Sequence, residues 1–566
     1  MFTATITSQP ADVTDVAAVR YTCACAGCGG AGGNAVQHTA GPISAATSQA
    51  VSLAAQGTAG DAAALLAGSQ WADASAGART VITYSFIDAG STYSAAAAPW
   101  QASASPLSEA DRATTREVLA NIEAVCGVTF VEVADSGATQ GVLRYGYSQR
   151  PNDLGYAGYA FYPSPAEIGG DIWIGKAQAG VEWDHYRPGL ILHETLHALG
   201  LKHPFDGGTT LSAQDDIIPN TVMSYSPVAG NRSGAMSHYP TQPMPLDIQA
   251  LRTLYGASTH NAADTVHDAA ALQGNFHIVV DSGGTDTLSC ASLANAVRID
   301  LAPGAASTIG LTVHAFAYSG SGAGRTVSHS TYEETLRIDA DTWIENATGS
   351  AYDDVLTGNG LANLLQGGAG DDRLTGLGGN DLLVGGTGLD TALYQGRKAN
   401  FQVERSADGF RVADLGGAQG TDLLQGVERL AFTDRHVALD LDGNAGLAAK
   451  ILSAVMGTAA IHNASYLGRV ISLLDSGRSA SQVADHVVDA ALGVPHTHES
   501  FVALLYANVT GALPDNTDLD YYTRLLDTGM ASQSSLTLLA AQGGANLARI
   551  DLVGLGAHGL EYVPYA

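Results

Sequence analysis

The sequence predicts a multidomain protein with an α+β domain, a repetitive β region and a helical module. Three observations predict it. Strand-like and helix-like patterns alternate through residues 69–259, nine-residue blocks recur from Gly349, and the chain turns Ala- and Leu-rich with helical spacing from residue 446. A length of 566 residues fits about three or four domains. The expected division is a leader over 1–68, an α+β domain over 69–259, a β region over 260–445 and helices over 446–566.

Residues 1–68 are rich in Ala, Gly, Ser and Thr without a sustained period and read as mostly irregular. The run TVITYSF (80–86) alternates like a strand, and Ser108 with Asp111 forms a capping box opening an amphipathic helix through about Ala124. Strands are expected at 128–133, 142–148 and 169–175, followed by a helix from about Pro188 to Leu199. The domain closes near PLDIQALRTLYG (245–256). Blocks of nine begin at Gly349, Gly358, Gly367, Gly376 and Gly385, and LLDSG (473–477) is echoed by LLDTG (525–529) in the helical region.

Charge narrows the partners. The 55 Asp and Glu outnumber the 26 Lys and Arg, and a formal charge of -29 repels phosphate backbones, so nucleic-acid binding is disfavoured. Many acids lie in Gly-rich surroundings between 281 and 390, where a divalent cation is the natural counter-ion. MFTATITSQPADVTDV has neither a basic n-region nor an apolar core, and no stretch approaches the ~20 apolar residues of a membrane span. No Sec signal is expected. Five cysteines cannot all pair, and Cys23, Cys25 and Cys28 crowd one segment. Cys126 and Cys290 read as structural.

The chemistry is concentrated in HETLHALGLKH (193–203). One helical turn puts His193 and His197 on the same face, where both imidazoles reach one metal, and Glu194 lies one residue round the helix as a base. Gly200 lets the helix stop sharply, so the returning chain delivers His203 as third ligand at about 2 Å from a zinc ion. Three protein ligands leave one position open, the mark of a catalytic site.

HExxHxxGxxH followed by a downstream Met resembles the metzincin pattern, and His203-Pro204 resembles its serralysin branch. TVMSYS (221–226) is similar to the family's Met-turn. The resemblance implies that Met223 forms a hydrophobic floor under the histidines, and that Tyr225 ligates zinc at rest and swings away to hydrogen-bond the tetrahedral intermediate. It extends over 64–86, 169–176 and 237–258, and by analogy makes GGDIWIG (169–175) the edge strand that pairs with an extended peptide. The implied activity is that of a zinc endopeptidase acting on protein or peptide substrates.

In GGxGxDxUx, with U a large apolar residue, six residues make a turn offering carbonyls and one carboxylate, and three form a short strand. Asp354, Asp372, Asp381 and Asp390 hold the sixth position, Asn363 is a weaker ligand, and Leu377 replaces a glycine. Oxygen donors without Cys or His suit calcium, so folding is expected to depend on several calcium ions. The blocks resemble the RTX parallel β-roll, which also implies calcium ligands at Asp281, Asp286 and Glu345. Such proteins leave Gram-negative cells through type I secretion machinery, implying a secreted, extracellular or cell-surface location without an N-terminal signal.

The predicted architecture is thus a metzincin catalytic domain, a parallel β-roll RTX domain and a C-terminal α-helical module serving export, surface attachment or stability. The leader resembles a propeptide, and CACAGC (23–28) suggests a thiolate at the open zinc position, although it lacks the Arg and Pro-Asp of other metzincin switches. Two alternatives remain: a catalytically idle calcium-dependent surface or adhesin protein, and a zinc hydrolase of a non-peptide substrate.

Overall fold

The computed structural model describes residues 24–25, 48–52, 61–73, 79–93, 98–136, 139–179, 185–320 and 326–565. Two compact units divide the chain. The first takes residues up to 265 with 271–284 and 303–343; the second takes 266–270, 285–302 and 344–566. Most of the leader, Cys23 and Cys28 included, lies outside the described residues.

The first unit is organised on a six-stranded sheet, whose strands are Ala24–Cys25 (β1), Thr80–Phe86 (β4), Val128–Glu132 (β5), Leu143–Ser148 (β6), Gly158–Ala160 (β7) and Asp171–Gly175 (β8). Between β1 and β4, Ser48–Ser52 (β2) and Ser69–Asp73 (β3) form a separate antiparallel pair. The sheet order is β1-β7-β8-β6-β4-β5. Strands β4, β5, β6 and β8 run parallel, β7 is antiparallel to β8, and β1 is parallel to β7.

GGDIWIG is therefore not the edge strand. Its β8 lies between β6 and β7 with all five residues buried, and Ile172, Trp173 and Ile174 need cover on both faces. The flanking glycines serve a turn instead, with Gly170 at φ +83.

The capped helix runs Glu109–Val125, with the Ser108 side chain accepting the Asp111 N–H. Asp111 departs from the expected box by turning its carboxylate to Arg187, 2.8 Å away, and to the Tyr147 hydroxyl. The leader is not wholly irregular either. Beyond β1 and β2, a short helix at Asp61–Leu65 puts Leu65 fully into the core. Residues 303–343 also belong to this unit: Val313–Ser319 pairs with Gly234–Met236, and Arg252 meets Asp339 at 2.7 Å.

In the second unit the nine-residue blocks alternate between two parallel sheets. Leu364 pairs with Leu382 in one and Leu374 with Ala392 in the other, each a shift of two blocks. Leu356, Leu365, Leu374, Leu383 and Ala392 are fully buried at nine-residue spacing, so the apolar position of each block builds the core. Gly409–Asp414 and Phe401–Ser406 extend one sheet antiparallel, while His436–Ala438 and Leu560–Tyr562 extend the other. Six helices of ten or more residues between Asn444 and Gln542 enclose a separate apolar core that includes Ile451, Leu467, Val487 and Phe501. Among the described residues no helix is long and apolar enough to cross a membrane.

Candidate metal centre

His193, Glu194 and His197 lie on the helix Tyr186–Ala198, which is buried continuously from Gly189. Its C-terminal carbonyls, unsatisfied within the helix, are capped from distant segments. Trp71 Nε1 donates to Ala198 O at 2.8 Å, and the Tyr255 hydroxyl donates to Leu199 O at 2.7 Å. Gly200 then reverses the chain at φ +103, where an added Cβ would lie 2.2 Å from Ser69 O. Glycine is required there on both conformational and steric grounds.

The reversal brings His203 back over the helix. His203 Nε2 lies 3.3 Å from His193 Nε2 and 3.1 Å from His197 Nε2, and all three rings are buried. Each Nδ1 meets an acceptor at 2.7 Å: Val222 O for His193, Leu201 O for His197 and Asp206 Oδ2 for His203. Burial pushes His193 down to about 4 and holds His197 and His203 well below the usual imidazole range. The rings are therefore neutral at pH 7, with Nδ1 as donor and the Nε2 lone pairs directed inward.

This donor set fits zinc. Three nitrogens at ~2.0–2.1 Å in a tetrahedral shell lie roughly 3.3 Å from one another, and outer acceptors on Nδ1 are the usual support of metal-binding imidazoles. The hydroxyl of Tyr225 donates to His203 Nε2 at 2.7 Å, so that the expected tyrosine is at the site. Met223 is fully buried, in a turn closed by Ser224 N–H to Thr221 O at 3.1 Å.

Sequence reasoning missed two supports. Asp247 accepts from the Thr221 hydroxyl at 2.5 Å and from the Val222 and Met244 N–H groups at 2.9 Å. Since Val222 O holds His193, one peptide links this carboxylate to the ligand ring. Burial pushes the Asp247 carboxyl up to about 6. Its only sequence signal was a place at the start of a helix. Asp247→Ala would strand three buried donors, and the expected cost is about 3 kcal/mol with zinc affinity about tenfold lower, read by thermal melting and zinc titration. The other missed residue is Gly158 of β7, where a Cβ would come within 2.4 Å of Glu194 Oε1.

In the second unit the expected calcium residues form ladders. Asp372 Oδ1 accepts the Asp354 N–H at 2.8 Å, Asp390 Oδ1 the Asp372 N–H at 2.9 Å, and Asp381 Oδ1 the Asn363 N–H at 2.8 Å. The Oδ2 atoms of Asp372, Asp381 and Asp390 are buried without a hydrogen-bond partner. Burial, with neighbouring carboxylates, pushes Asp372 and Asp381 up to about 7 and Asp390 to about 6. Orphaned buried oxygens in register fit a hard cation such as calcium. Leu377 takes the left-handed conformation at φ 71 that a glycine would otherwise hold.

Glu345 Oε2 accepts the Asp286 N–H at 2.8 Å, and Asp281, in the first unit, accepts the Gly283 N–H at 3.1 Å. The ladders continue further than the repeat pattern foretold. Asp422 accepts from Asp381 N–H at 3.0 Å and Glu428 from Asp390 N–H at 2.9 Å. Of the remaining cysteines, Cys126 and Cys290 are buried and free, and burial pushes both thiols up to about 12, in keeping with a structural role.

Residues 357–392 match a family model described as the RTX calcium-binding nonapeptide repeat, in four copies. A serralysin of Photorhabdus luminescens is 30% identical over 340 residues, covering 54% of this chain and 64% of that protein. The serralysin of Photorhabdus laumondii is 29% identical over 301 residues (47% and 57%), and serralysin B of Dickeya chrysanthemi is 30% identical over 177 residues (27% and 37%). The matches thus span between about a third and two thirds of these relatives' own lengths. The chain is a distant relative of the serralysins, at about 30% identity, and it carries RTX calcium-binding repeats.

Proposed function

We propose that this chain is a secreted zinc endopeptidase of the metzincin type, folded and stabilised by calcium. The observation that carries the reading is the convergence of three imidazoles, with His203 Nε2 within 3.3 Å of the other two Nε2 atoms and each ring held through Nδ1, beside a buried glutamate. His193, His197 and His203 would hold the zinc, with residues 69–259 as the catalytic domain and Asp281, Asp286, Glu345, Asp354, Asp372, Asp381 and Asp390 as calcium ligands. When bound, the zinc supplies Lewis-acid polarisation and a lowered pKa for water.

The chain's own residues supply the rest. Glu194, fully buried on the ligand helix, takes a proton from the attacking water and passes it to the leaving amine. Tyr225 turns its hydroxyl from His203 to the developing oxyanion, where a preorganised donor is worth most. Val222 O, Leu201 O and Asp206 keep the imidazoles in the Nδ1–H tautomer. In a chain without β1, an extended substrate aligns along the edge of β7, whose Gly158 lets the strand come close to Glu194. Relatives named serralysin support a peptide substrate, and export through a type I machine, with surface attachment by the helical module, belongs to the same proposal.

The test uses a chain beginning at Ser48, which keeps the β2–β3 pair, loaded with zinc and calcium and incubated with casein. New internal peptide termini, identified by mass spectrometry, are expected. Intact casein beside a folded, zinc-loaded chain would favour an idle surface protein.

A further inference from the structure

The two faces of β7 differ. Gly158 and Ala160 are buried on the side of the metal centre, where Gly158 leaves room for Glu194, and the Tyr162 ring just past the strand packs edge-on against His197 at 5.7 Å between centroids. Tyr159 is level with Trp173 of β8 and points to the opposite face of the sheet. Phe161 continues that face, its ring centroid 5.1 Å from that of Tyr159. Trp100 lies against both, 4.5 Å from Tyr159 and 5.2 Å from Phe161, and Tyr156 closes the group at 6.5 Å from Tyr159.

Hydrogen bonds fix the segment that carries Trp100. The Ser148 hydroxyl donates to Trp100 O at 2.8 Å, and Ser105 and Tyr147 exchange backbone hydrogen bonds at 3.0 and 2.9 Å. Trp100, Tyr156, Tyr159 and Phe161 are only half-buried, and none of them is charged. They lie beside the edge of β7 that β8 does not use, along which β1 pairs over Ala24 and Cys25, so a peptide takes this edge in a chain without β1. In a strand added there, whichever its direction, the residue level with Ala160 faces the metal centre, midway between the levels of Gly158 and Tyr162. Its two neighbours, level with Tyr159 and Phe161, face the aromatic group at cross-strand distances of about 5 Å. The scissile bond adjoins the metal-facing residue and therefore lies between those two neighbours.

We propose that Tyr159, Phe161 and Trp100 set the substrate class: extended peptides that carry apolar or aromatic side chains at two positions, two residues apart, with the scissile bond between them. This rests on the peptidase reading. A charged side chain at either position would lose water against the rings without gaining a partner. An apolar one removes its own surface and that of the rings from water together.

The full chain, and beside it the chain beginning at Ser48, are loaded with zinc and calcium and given a proteome-derived peptide library, with cut sites read by mass spectrometry. Apolar and aromatic residues are expected about threefold above background at both positions. Tyr159→Lys is expected to lose that preference at one position and to favour Asp or Glu there about threefold, while the other position stays apolar. Phe161→Lys makes the same exchange at the second position, so either variant alone reports the register, and Trp100→Ala lowers the enrichment at both. Zinc content and melting midpoint are followed for each variant, so that only folded chains are compared. A flat or polar profile at both positions in the wild type, or lysine variants whose profiles match the wild type's, overturns the proposal. Failure of the peptidase reading is distinguishable, because neither chain would then yield cut sites at full zinc occupancy, whereas failure of the aromatic recognition leaves cuts without this pattern.

Discussion

Glu194→Gln is expected to lower casein turnover by about a thousandfold or more while zinc remains bound. Glutamine keeps the volume and shape of the side chain, so the buried packing beside Gly158 is retained. What it removes is the group that takes and returns the proton. The three ring nitrogens and their Nδ1 acceptors do not include Glu194, so the metal content should stay at one zinc per chain. Near-wild-type turnover by this variant would remove Glu194 from the mechanism.

Calcium withdrawal is expected to unfold the roll, and the effect should grow with pH. Asp372 and Asp381 sit at about 7 and Asp390 at about 6 in the cation-free fold, well above the ordinary carboxyl value of 3.8. A folded-state pKa raised above the unfolded one means that the folded chain holds more protons across that interval, so its stability falls as pH rises. The calcium-free roll should therefore be most stable near pH 4 and lose stability through about pH 7, as the ladder carboxylates ionise against one another. Calcium replaces those protons and removes the penalty. Circular dichroism melting between pH 5 and 8 should show a falling midpoint in chelator and little change in millimolar calcium. A calcium-free midpoint that rises over the same range would contradict this account of the ladders.

What could be read in advance followed from how local each signal was. The His193, His197 and His203 spacing is set by one helical turn and one glycine reversal, so eleven residues contain the whole arrangement. The roll was legible because an acid or amide and an apolar residue keep phase at nine residues through five blocks, with Asp in four of them and Leu in four of them. Asp422 and Glu428 escaped because the antiparallel hairpin formed by Phe401–Ser406 and Gly409–Asp414 interrupts that phase, although each continues a ladder in space.

Sheet order was harder. A three-residue strand such as β7 shows no alternation, whereas β8 was expected at an edge only by analogy with the family it resembles. Asp247 could not be found because its partners Thr221 and Val222 lie about 25 residues earlier in the chain. Residues 303–343 share the short β-type runs of the roll, yet pair with Gly234–Met236 and answer Arg252, which are contacts that composition does not encode.

The proposed zinc-peptidase activity rests on the three converging imidazoles. The most direct test is to strip a chain beginning at Ser48 of zinc, keep it in calcium, and titrate zinc back while following casein cleavage. The account predicts that cleavage rises linearly and levels off at one zinc per chain, with His203→Ala failing to reach the plateau. Cleavage independent of added zinc, or none at full zinc occupancy, would contradict it.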